Sequence, residues 1–267
     1  EGGDSLRATF LISRLSHMLA LKINPAQLWL TPTLKSLIEY LKSASQETQD
    51  NSYSLEVTDP LPLYPLIPAQ KHIYVHSILN NDVLYNVPIG LKLVGELNLE
   101  LLKKHLANII NADPVFSLIF ESHPGKVVQV LRTKEKNNLN KSLLQFEVFE
   151  YPEDQEASFD LQKVMTNFIR PFNIYEGPLA RFAVVKTNSY EHILLMDFHH
   201  LIMDGVSVSI FVKRLYEAYK KDVVTTAKFT FTDFVSAWEK QQMRSGFDEH
   251  QQFWKTQLQT KKGGIIQ

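Results

Sequence analysis

Apolar residues recur at helical spacing in the first part of the chain, at residues 8–19 and again at residues 34–41. Thr31-Pro32-Thr33 precedes the second stripe and supplies hydroxyl groups for capping and a proline suited to a first turn. Residues 43–59 follow, and their first part is polar and has no period. The pattern predicts a small helical segment, too short to bury much apolar surface by itself, and then a linker.

Beyond residue 60 the pattern changes, and short apolar runs alternate with longer amphipathic stretches. Strands are predicted at residues 89–94, 115–121, 127–131, 143–149, 179–186 and 192–198. Helices are predicted at residues 68–79, 99–109, 153–169 and 208–219. This order indicates an α/β sandwich in which helices cover one mixed sheet, so the fold class of the whole chain is α+β (mixed).

Several reactive side chains follow the last predicted strand, in the sequence His199-His200-Leu201-Ile202-Met203-Asp204-Gly205. A buried strand that ends in a polar turn presents its side chains on a rigid rim, where catalytic residues tend to lie. Neighbours on an extended segment point to opposite faces, so we expect His199 to turn into the fold and His200 to turn outward. We expect Asp204 to close the turn.

The composition excludes several kinds of site. The 267 residues include 28 basic and 29 acidic side chains, and the net charge of −1 gives no electrostatic footprint for nucleic acid or an anionic membrane. There is no cysteine, which rules out disulfides, thiolate metal sites and a cysteine nucleophile. The histidines outside the turn show no metal-ligand spacing, so no metal is predicted. The apolar runs are too short for a membrane span and no signal peptide opens the chain, so we expect a cytoplasmic protein.

The first residues, Gly2-Gly3-Asp4-Ser5-Leu6, place a serine at a helix start behind two glycines. A helix N-terminus favours an anionic phosphate on the serine oxygen, although the same residues also fit a plain N-cap serine. Together with Thr31-Pro32-Thr33-Leu34 and the helix after it, they resemble a peptidyl carrier protein of nonribosomal peptide synthetases. The resemblance covers the second to fourth helices of that family, with the first helix missing. It implies that Ser5 carries 4′-phosphopantetheine.

Four further segments resemble the condensation domains of the same synthetases. The turn with the two histidines matches their His-His-x-x-x-Asp-Gly-x-Ser motif at every defining position. The other segments are residues 64–74, residues 171–181 and residues 231–238. The resemblance implies a partial helical-bundle carrier at residues 1–44, a linker at 45–59, and one chloramphenicol acetyltransferase-like α/β lobe, the N-terminal lobe of a condensation domain, at 60–267.

The resemblance also implies a reaction and roles for the residues of the turn. An acceptor amine attacks a donor thioester, both tethered to carriers, and an amide bond forms. His200 is expected to accept or to position the amine proton, and Gly205 is either a turn glycine or a donor to the developing oxyanion. His199, Asp204 and Arg181 are expected to act through structure, with Arg181 as a candidate partner of Asp204.

The implied partners are an adenylation domain and other synthetase modules, a phosphopantetheinyl transferase and a downstream carrier protein. The chain departs from the family at residues 111–117, where Asn-Ala-Asp and then Val-Phe-Ser stand in place of Arg-His-Glu and Leu-Arg-Thr. It also holds only the first of the family's two lobes, so we expect this fragment alone to show no condensation activity.

Three other readings of the sequence stay open. An epimerisation domain shares the histidine motif, although such domains usually carry Trp-Arg where this chain has Val208-Ser209. A non-catalytic docking domain would keep the fold, and the changes at residues 111–113 favour it slightly. A generic acyltransferase of the chloramphenicol acetyltransferase type would leave the carrier segment unexplained.

Overall fold

A computed structural model gives the architecture of the chain. The residues described are 11–12, 14–16, 18–19, 21, 23, 27–31, 33–44, 57, 59–132, 142–150, 160–242 and 252–256. The chain divides into two compact units, one of residues 1–54 and one of residues 55–267.

The first unit is helical wherever its regular structure is described. The described residues between 11 and 19 are helical, and two helices follow, α1 (Gln27–Leu30) and α2 (Leu34–Ala44). The Thr33 hydroxyl accepts a hydrogen bond from the Ser36 N–H at 3.2 Å, which caps the start of α2 as the sequence predicts. Ile12 and Leu37, from the two predicted stripes, are both buried.

The second unit mixes strands and helices, which confirms the predicted fold class. Its strands are β1 (Tyr64–Pro65), β2 (Asn86–Val94), β3 (Leu118–His123), β4 (Lys126–Leu131), β5 (Phe146–Glu150), β6 (Ala180–Lys186) and β7 (Glu191–His199). Its helices are α3 (Pro68–Leu79), α4 (Leu99–Ala112), α5 (Leu161–Phe168), α6 (Gly205–Lys221) and α7 (Phe231–Gln242). Residues 252–256 are also helical.

The larger sheet has the strand order β2-β7-β6-β5 and supports the turn with the two histidines. Only β5 and β6 run parallel, so the sheet is mixed, as predicted. One face packs against α4 and α6 through a core that includes Leu106, Phe198 and Phe211. The other face is covered by α5, whose Phe168 packs with Leu195. Strand β7 is therefore buried on both faces and forms a rigid base for the turn that follows it.

A second sheet, with the order β1-β4-β3, was not predicted. It is antiparallel throughout, and Tyr64 lies opposite Gln129 in its register. The sequence predicts strands at β3 and β4 but places them in a single sheet. Periodicity identifies strands without naming their partners, and the two residues of β1 are too few to show an alternation.

The strand predicted at residues 115–121 begins later than the sequence indicates. A 3-10 turn (Pro114–Ser117) comes first, and β3 starts at Leu118. The carboxylate of Asp113 accepts a hydrogen bond from the Val115 N–H at 3.3 Å and caps this turn, and Pro114 suits its first position. Similarly, β5 starts at Phe146 rather than residue 143.

Candidate active site

Strand β7 ends at His199, and the next five residues form the turn that leads to α6. His199 is buried, at 5% exposure, whereas the side chain of His200 is exposed to solvent. The two rings thus lie on opposite sides, as the strand alternation predicts. The His200 N–H donates to the carbonyl of Tyr85 at 2.8 Å, just ahead of β2, which fixes the backbone at this point.

The imidazole of His199 is held by hydrogen bonds on both nitrogens. The Leu201 N–H donates to Nδ1 at 3.1 Å, and the Ser77 hydroxyl lies 3.3 Å from Nε2. Phe172 contacts the ring edge-on, with 6.0 Å between centroids. Burial, together with the neighbouring His200, lowers the pKa of His199 to about 4. His199 is consequently neutral at physiological pH and braces the turn from inside.

Two buried glutamines hold the other side of the turn. The Gln70 amide, on α3, donates to the Leu201 carbonyl at 2.9 Å and exchanges hydrogen bonds of 3.1 and 3.2 Å with Gln129 of β4. Gln129 also donates to the Pro65 carbonyl at 2.8 Å. Gln70 lies inside a motif that the sequence singled out, but neither glutamine was predicted as a site residue, because a pairing across 59 positions leaves no local signal.

Asp204 closes the turn by capping α6. Its Oδ1 accepts hydrogen bonds from the Ser207 N–H at 2.7 Å and from the Ser207 hydroxyl at 2.6 Å. Burial raises the pKa of Asp204, but these bonds, the nearby His200 and the Val206 N–H outweigh it and lower the pKa below its usual range. The carboxylate is exposed and ionised at neutral pH, which suits the N-terminus of a helix.

The pairing of Arg181 with Asp204 that the sequence suggested is wrong. Arg181 lies opposite Asp197 in the β6–β7 register, and its Nη1 is 3.5 Å from Asp197 Oδ2. Strand register decides this pairing, and the sequence does not show it. Asp204 instead binds the backbone and the hydroxyl at the start of its own helix.

The Arg181–Asp197 pair forms a buried polar cluster beneath the turn. The guanidinium of Arg181 donates to three backbone carbonyls and stacks 3.7 Å from the Phe172 ring centroid, and Asp197 accepts from Asn86 at 2.7 Å. Burial lowers the pKa of Arg181 to about 10, and Asp197 partly offsets the effect. Burial raises the pKa of Asp197 to about 6 against the opposing charge of Arg181. Phe172 lies against both Arg181 and His199, so this cluster supports the inner histidine.

Residues in the segment 111–117 hold helix α6 through two contacts. Asp113 Oδ2 lies 3.3 Å from Nη1 of Arg214 on α6, and both side chains are largely buried. Phe116 enters the core and contacts Phe211 of α6 edge-on at 5.7 Å. An ion pair and an aromatic contact thus hold α6 at this point, and α6 is the helix that begins directly after the turn.

The exposed side of the turn carries His200 among other aromatic rings. Tyr85 lies edge-on to His200 at 6.4 Å and to His76 of α3 at 5.1 Å. Asp204 caps α6 through the first-turn N–H of Ser207, whereas the Gly205 N–H donates to none of the described residues. The site therefore combines a solvent-accessible imidazole with a helix N-terminus that offers a hydrogen-bond donor.

Other predicted features stand as follows. Ser5 lies outside the described residues. Within the described part of the chain, no three His, Cys, Asp or Glu side chains are grouped in a way that could bind a metal ion. No described helix is long and apolar enough to cross a membrane.

Comparison with known proteins identifies both parts of the chain. Residues 62–263 match the family model for the condensation domain, and residues 1–41 match that for the phosphopantetheine attachment site. Bacitracin synthase 1 of Bacillus licheniformis is 30% identical over 99% of this chain and 5% of its own length. Surfactin synthase subunit 2 of Bacillus subtilis (strain 168) is 31% identical over 96% of this chain and 7% of its own length.

Solved structures share the fold of the second unit. The starter condensation domain of rhizomide synthetase RzmA aligns with a TM-score of 0.63 and 18% identity, over 75% of this chain and 49% of that one. The first condensation domain of the calcium-dependent antibiotic synthetase aligns with a TM-score of 0.60 and 19% identity, over 76% of this chain and 49% of that one. The chain therefore spans about half of each solved domain and a small part of each synthetase that it matches.

Proposed function

Because this chain belongs to the condensation-domain family of nonribosomal peptide synthetases, and begins with a phosphopantetheine attachment site, we propose that it forms amide bonds between carrier-bound substrates. The single observation that carries the proposal is the exposed imidazole of His200, fixed on a rigid turn between a buried strand and a helix N-terminus. The chain acts as part of a larger synthetase.

His200 takes the amine proton. As the acceptor nitrogen forms its bond to the donor carbonyl carbon, the carbon–sulfur bond breaks, the amine proton passes to the imidazole of His200, and the departing thiolate then takes that proton. Imidazole is suited to this exchange because its charge changes near neutral pH. A positioned base contributes about 10²–10⁴ in rate.

Gly205 stabilises the negative charge that develops on the carbonyl oxygen. It is the first residue of the 17-residue helix α6, and its N–H donates to none of the described residues. A backbone N–H at a helix N-terminus is an effective donor to an oxyanion. Asp204 leaves this N–H available because its carboxylate binds the N–H of Ser207 instead.

Three residues support the site without touching the reacting atoms. His199 holds the backbone of the turn, Asp204 caps α6, and Arg181 supports the Phe172 ring that lies against His199. Each makes its contacts with protein groups, and Arg181 and His199 are almost completely buried.

The carrier segment supplies the substrate. Residues 1–44 form the carrier, residues 45–59 the linker, and residues 60–267 the first condensation lobe. Ser5 is the attachment point of 4′-phosphopantetheine, which when bound carries the acyl group as a thioester. The partners are a phosphopantetheinyl transferase, a downstream carrier protein, and an adenylation domain and other modules, in the cytoplasm.

A transfer assay with the complete synthetase tests this function. Donor and acceptor amino acids are loaded on their carriers, and the products are followed by mass spectrometry and chiral analysis. We expect an amide-linked product on the downstream carrier. An inverted donor α-carbon without any amide product would favour epimerisation, and hydrolysis alone would contradict the proposal.

A further inference from the structure

Ser77 on helix α3 lies outside every motif discussed above, yet it contacts the candidate active site directly. Its hydroxyl oxygen is 3.3 Å from Nε2 of His199 and 2.8 Å from the carbonyl of Ile73, one turn earlier in the same helix. Ser77 is half-buried and His199 is 5% exposed. The contact spans 122 positions of sequence, so it is a tertiary contact that positions α3 against the end of β7.

The hydrogen-bond partners determine where each proton lies. The backbone N–H of Leu201 can only donate, so Nδ1 of His199, 3.1 Å away, must be the unprotonated acceptor. The neutral ring then carries its proton on Nε2, which donates to the oxygen of Ser77. The hydroxyl proton of Ser77 in turn goes to the Ile73 carbonyl, which can only accept. All three groups are satisfied in one arrangement, and the other neutral tautomer would put an N–H against the N–H of Leu201.

This arrangement controls the turn that carries His200. Ser77 anchors the Nε2 side of the His199 ring while Nδ1 accepts from Leu201, so the ring is held at both ends. The Leu201 carbonyl is bound by Gln70, which lies seven residues before Ser77 on the same helix, about two turns away. Helix α3 therefore holds both backbone groups of Leu201, the residue after His200. It binds the carbonyl directly through Gln70, and it binds the N–H indirectly through Ser77 and the His199 ring.

We propose that Ser77 is a positioning residue of the candidate active site: its hydroxyl accepts from Nε2–H of His199, holds the ring against the Leu201 N–H that sets its tautomer, and thereby fixes the turn that presents His200. Ser77 touches neither substrate nor reacting atoms in this arrangement. Its effect on transfer rests on the proposed function, whereas its effect on the position of the His199 ring does not.

The tautomer is measured on this chain by NMR after ¹⁵N labelling of the histidine rings, with the His199 signals assigned by its replacement. We expect a pyrrole-like Nε2 and a pyridine-like Nδ1 in the wild type at pH 7. In Ser77→Ala the ring loses one of its two partners, and we expect the Leu201 amide to exchange with solvent about five- to tenfold faster. Ser77→Thr keeps the hydroxyl, which in a helix can still bind the carbonyl four residues earlier, and should restore slow exchange.

Ser236→Ala is the matched control. Ser236 lies in helix α7, where it is buried, and like Ser77 its hydroxyl donates to the carbonyl four residues earlier, here Thr232, at 3.0 Å. The Ser236→Ala substitution removes a hydroxyl-to-carbonyl hydrogen bond like that of Ser77, but at a position far from the turn in the sequence. It should leave the rate at which the Leu201 amide exchanges with solvent unchanged. In the complete synthetase, Ser77→Ala should lower kcat for transfer about five- to tenfold with KM unchanged, and Ser77→Thr should recover it.

The outcomes separate the two proposals. A protonated Nδ1 on His199 in the wild type would overturn the role of Ser77, and this result is obtained even if Ser77→Ala does not fold. Equal Leu201 exchange in wild type and a folded Ser77→Ala would overturn it as well. If the NMR results are as expected and the wild-type synthetase makes no amide, the role of Ser77 in holding the His199 ring stands and the proposed function fails.

Discussion

His199 and His200 are adjacent in the sequence but differ in burial, because the strand ends between them. Strand alternation predicts their orientations, and the structure places them as predicted. The partners of the inner histidine, Ser77 and Leu201, could not be predicted in the same way. Ser77 is brought to the site only by the packing of α3, and no local pattern encodes a contact across 122 positions. The same reason explains the wrong partner predicted for Arg181.

Asp204 should contribute to stability as a helix cap and no more than that. Its carboxylate is exposed and accepts two hydrogen bonds from Ser207, so Asp204→Ala removes a cap without leaving a buried group unpaired. We expect a loss of about 0.5–2 kcal/mol in the free energy of unfolding, measured in urea. Asp204→Ser retains a capping oxygen and should recover most of the loss. A loss well above this range would show that Asp204 has a further structural role.

Ser5 should be the site of phosphopantetheinylation. The match of residues 1–41 to the attachment-site family and the Gly-Gly-Asp-Ser-Leu sequence both support it. Treatment with coenzyme A and a phosphopantetheinyl transferase should add the mass of the arm to a chain that includes the upstream carrier helix. Ser5→Ala should abolish the gain, whereas Ser16→Ala, on the helical segment that follows, should not. A gain that survives Ser5→Ala would disprove the assignment.

At the scale of the elements, strand β7 and helix α6 frame the turn, and β7 carries Asp197 and His199, whose stability contributions respond to pH in opposite directions. Periodicity predicts the strand and the helix after it well, because both are long and strongly patterned. It misses the 3-10 turn before β3 and the pairing of the small sheet, because a capping carboxylate and a two-residue strand leave little pattern. The pairing of Arg181 with Asp197 below the turn depends on the register of β6 against β7, and the sequence could not predict it either.

Asp197 and His199 should make opposite contributions to the pH dependence of the unfolding free energy, and these contributions should largely cancel. The folded-state pKa of His199 is lowered to about 4, so the folded state resists protonation and His199 costs stability as pH falls below about 6.5. The folded-state pKa of Asp197 is raised to about 6, so proton uptake adds stability as pH falls toward about 4. Between these limits each group changes the unfolding free energy by up to about 1.4 kcal/mol per pH unit, with opposite sign.

Single variants should reveal these slopes. Relative to the wild type, Asp197→Asn should lose stability on acidification from pH 6.5 to 4.5, and His199→Asn should gain stability over the same interval. Urea unfolding at several pH values within that interval measures both effects. Two variants with parallel pH profiles would contradict this account of the buried groups below the turn.

At the scale of the whole molecule, the chain combines a phosphopantetheine attachment site with part of a condensation domain. Along the sequence, one compact unit ends at residue 54 and the other begins at residue 55. The turn with His200 belongs wholly to the second unit, and the helix that follows is tied to the lobe by Asp113–Arg214 where the family motif is altered. This turn could be identified from the sequence alone, because all of its characteristic residues lie in one uninterrupted stretch of the chain.

The most direct test of the central claim is the rate of amide formation at pH 7 by the complete synthetase, with both carriers loaded, before and after His200→Ala. Loss of general-base help should lower the rate by about 10²–10⁴, or about 3–5 kcal/mol of barrier, without lowering the melting temperature. His123→Ala, at a histidine on the β3–β4 hairpin bonded to Glu121, is the control and should leave the rate unchanged. Full transfer activity in a folded His200→Ala variant would contradict the assignment of His200 as the catalytic base.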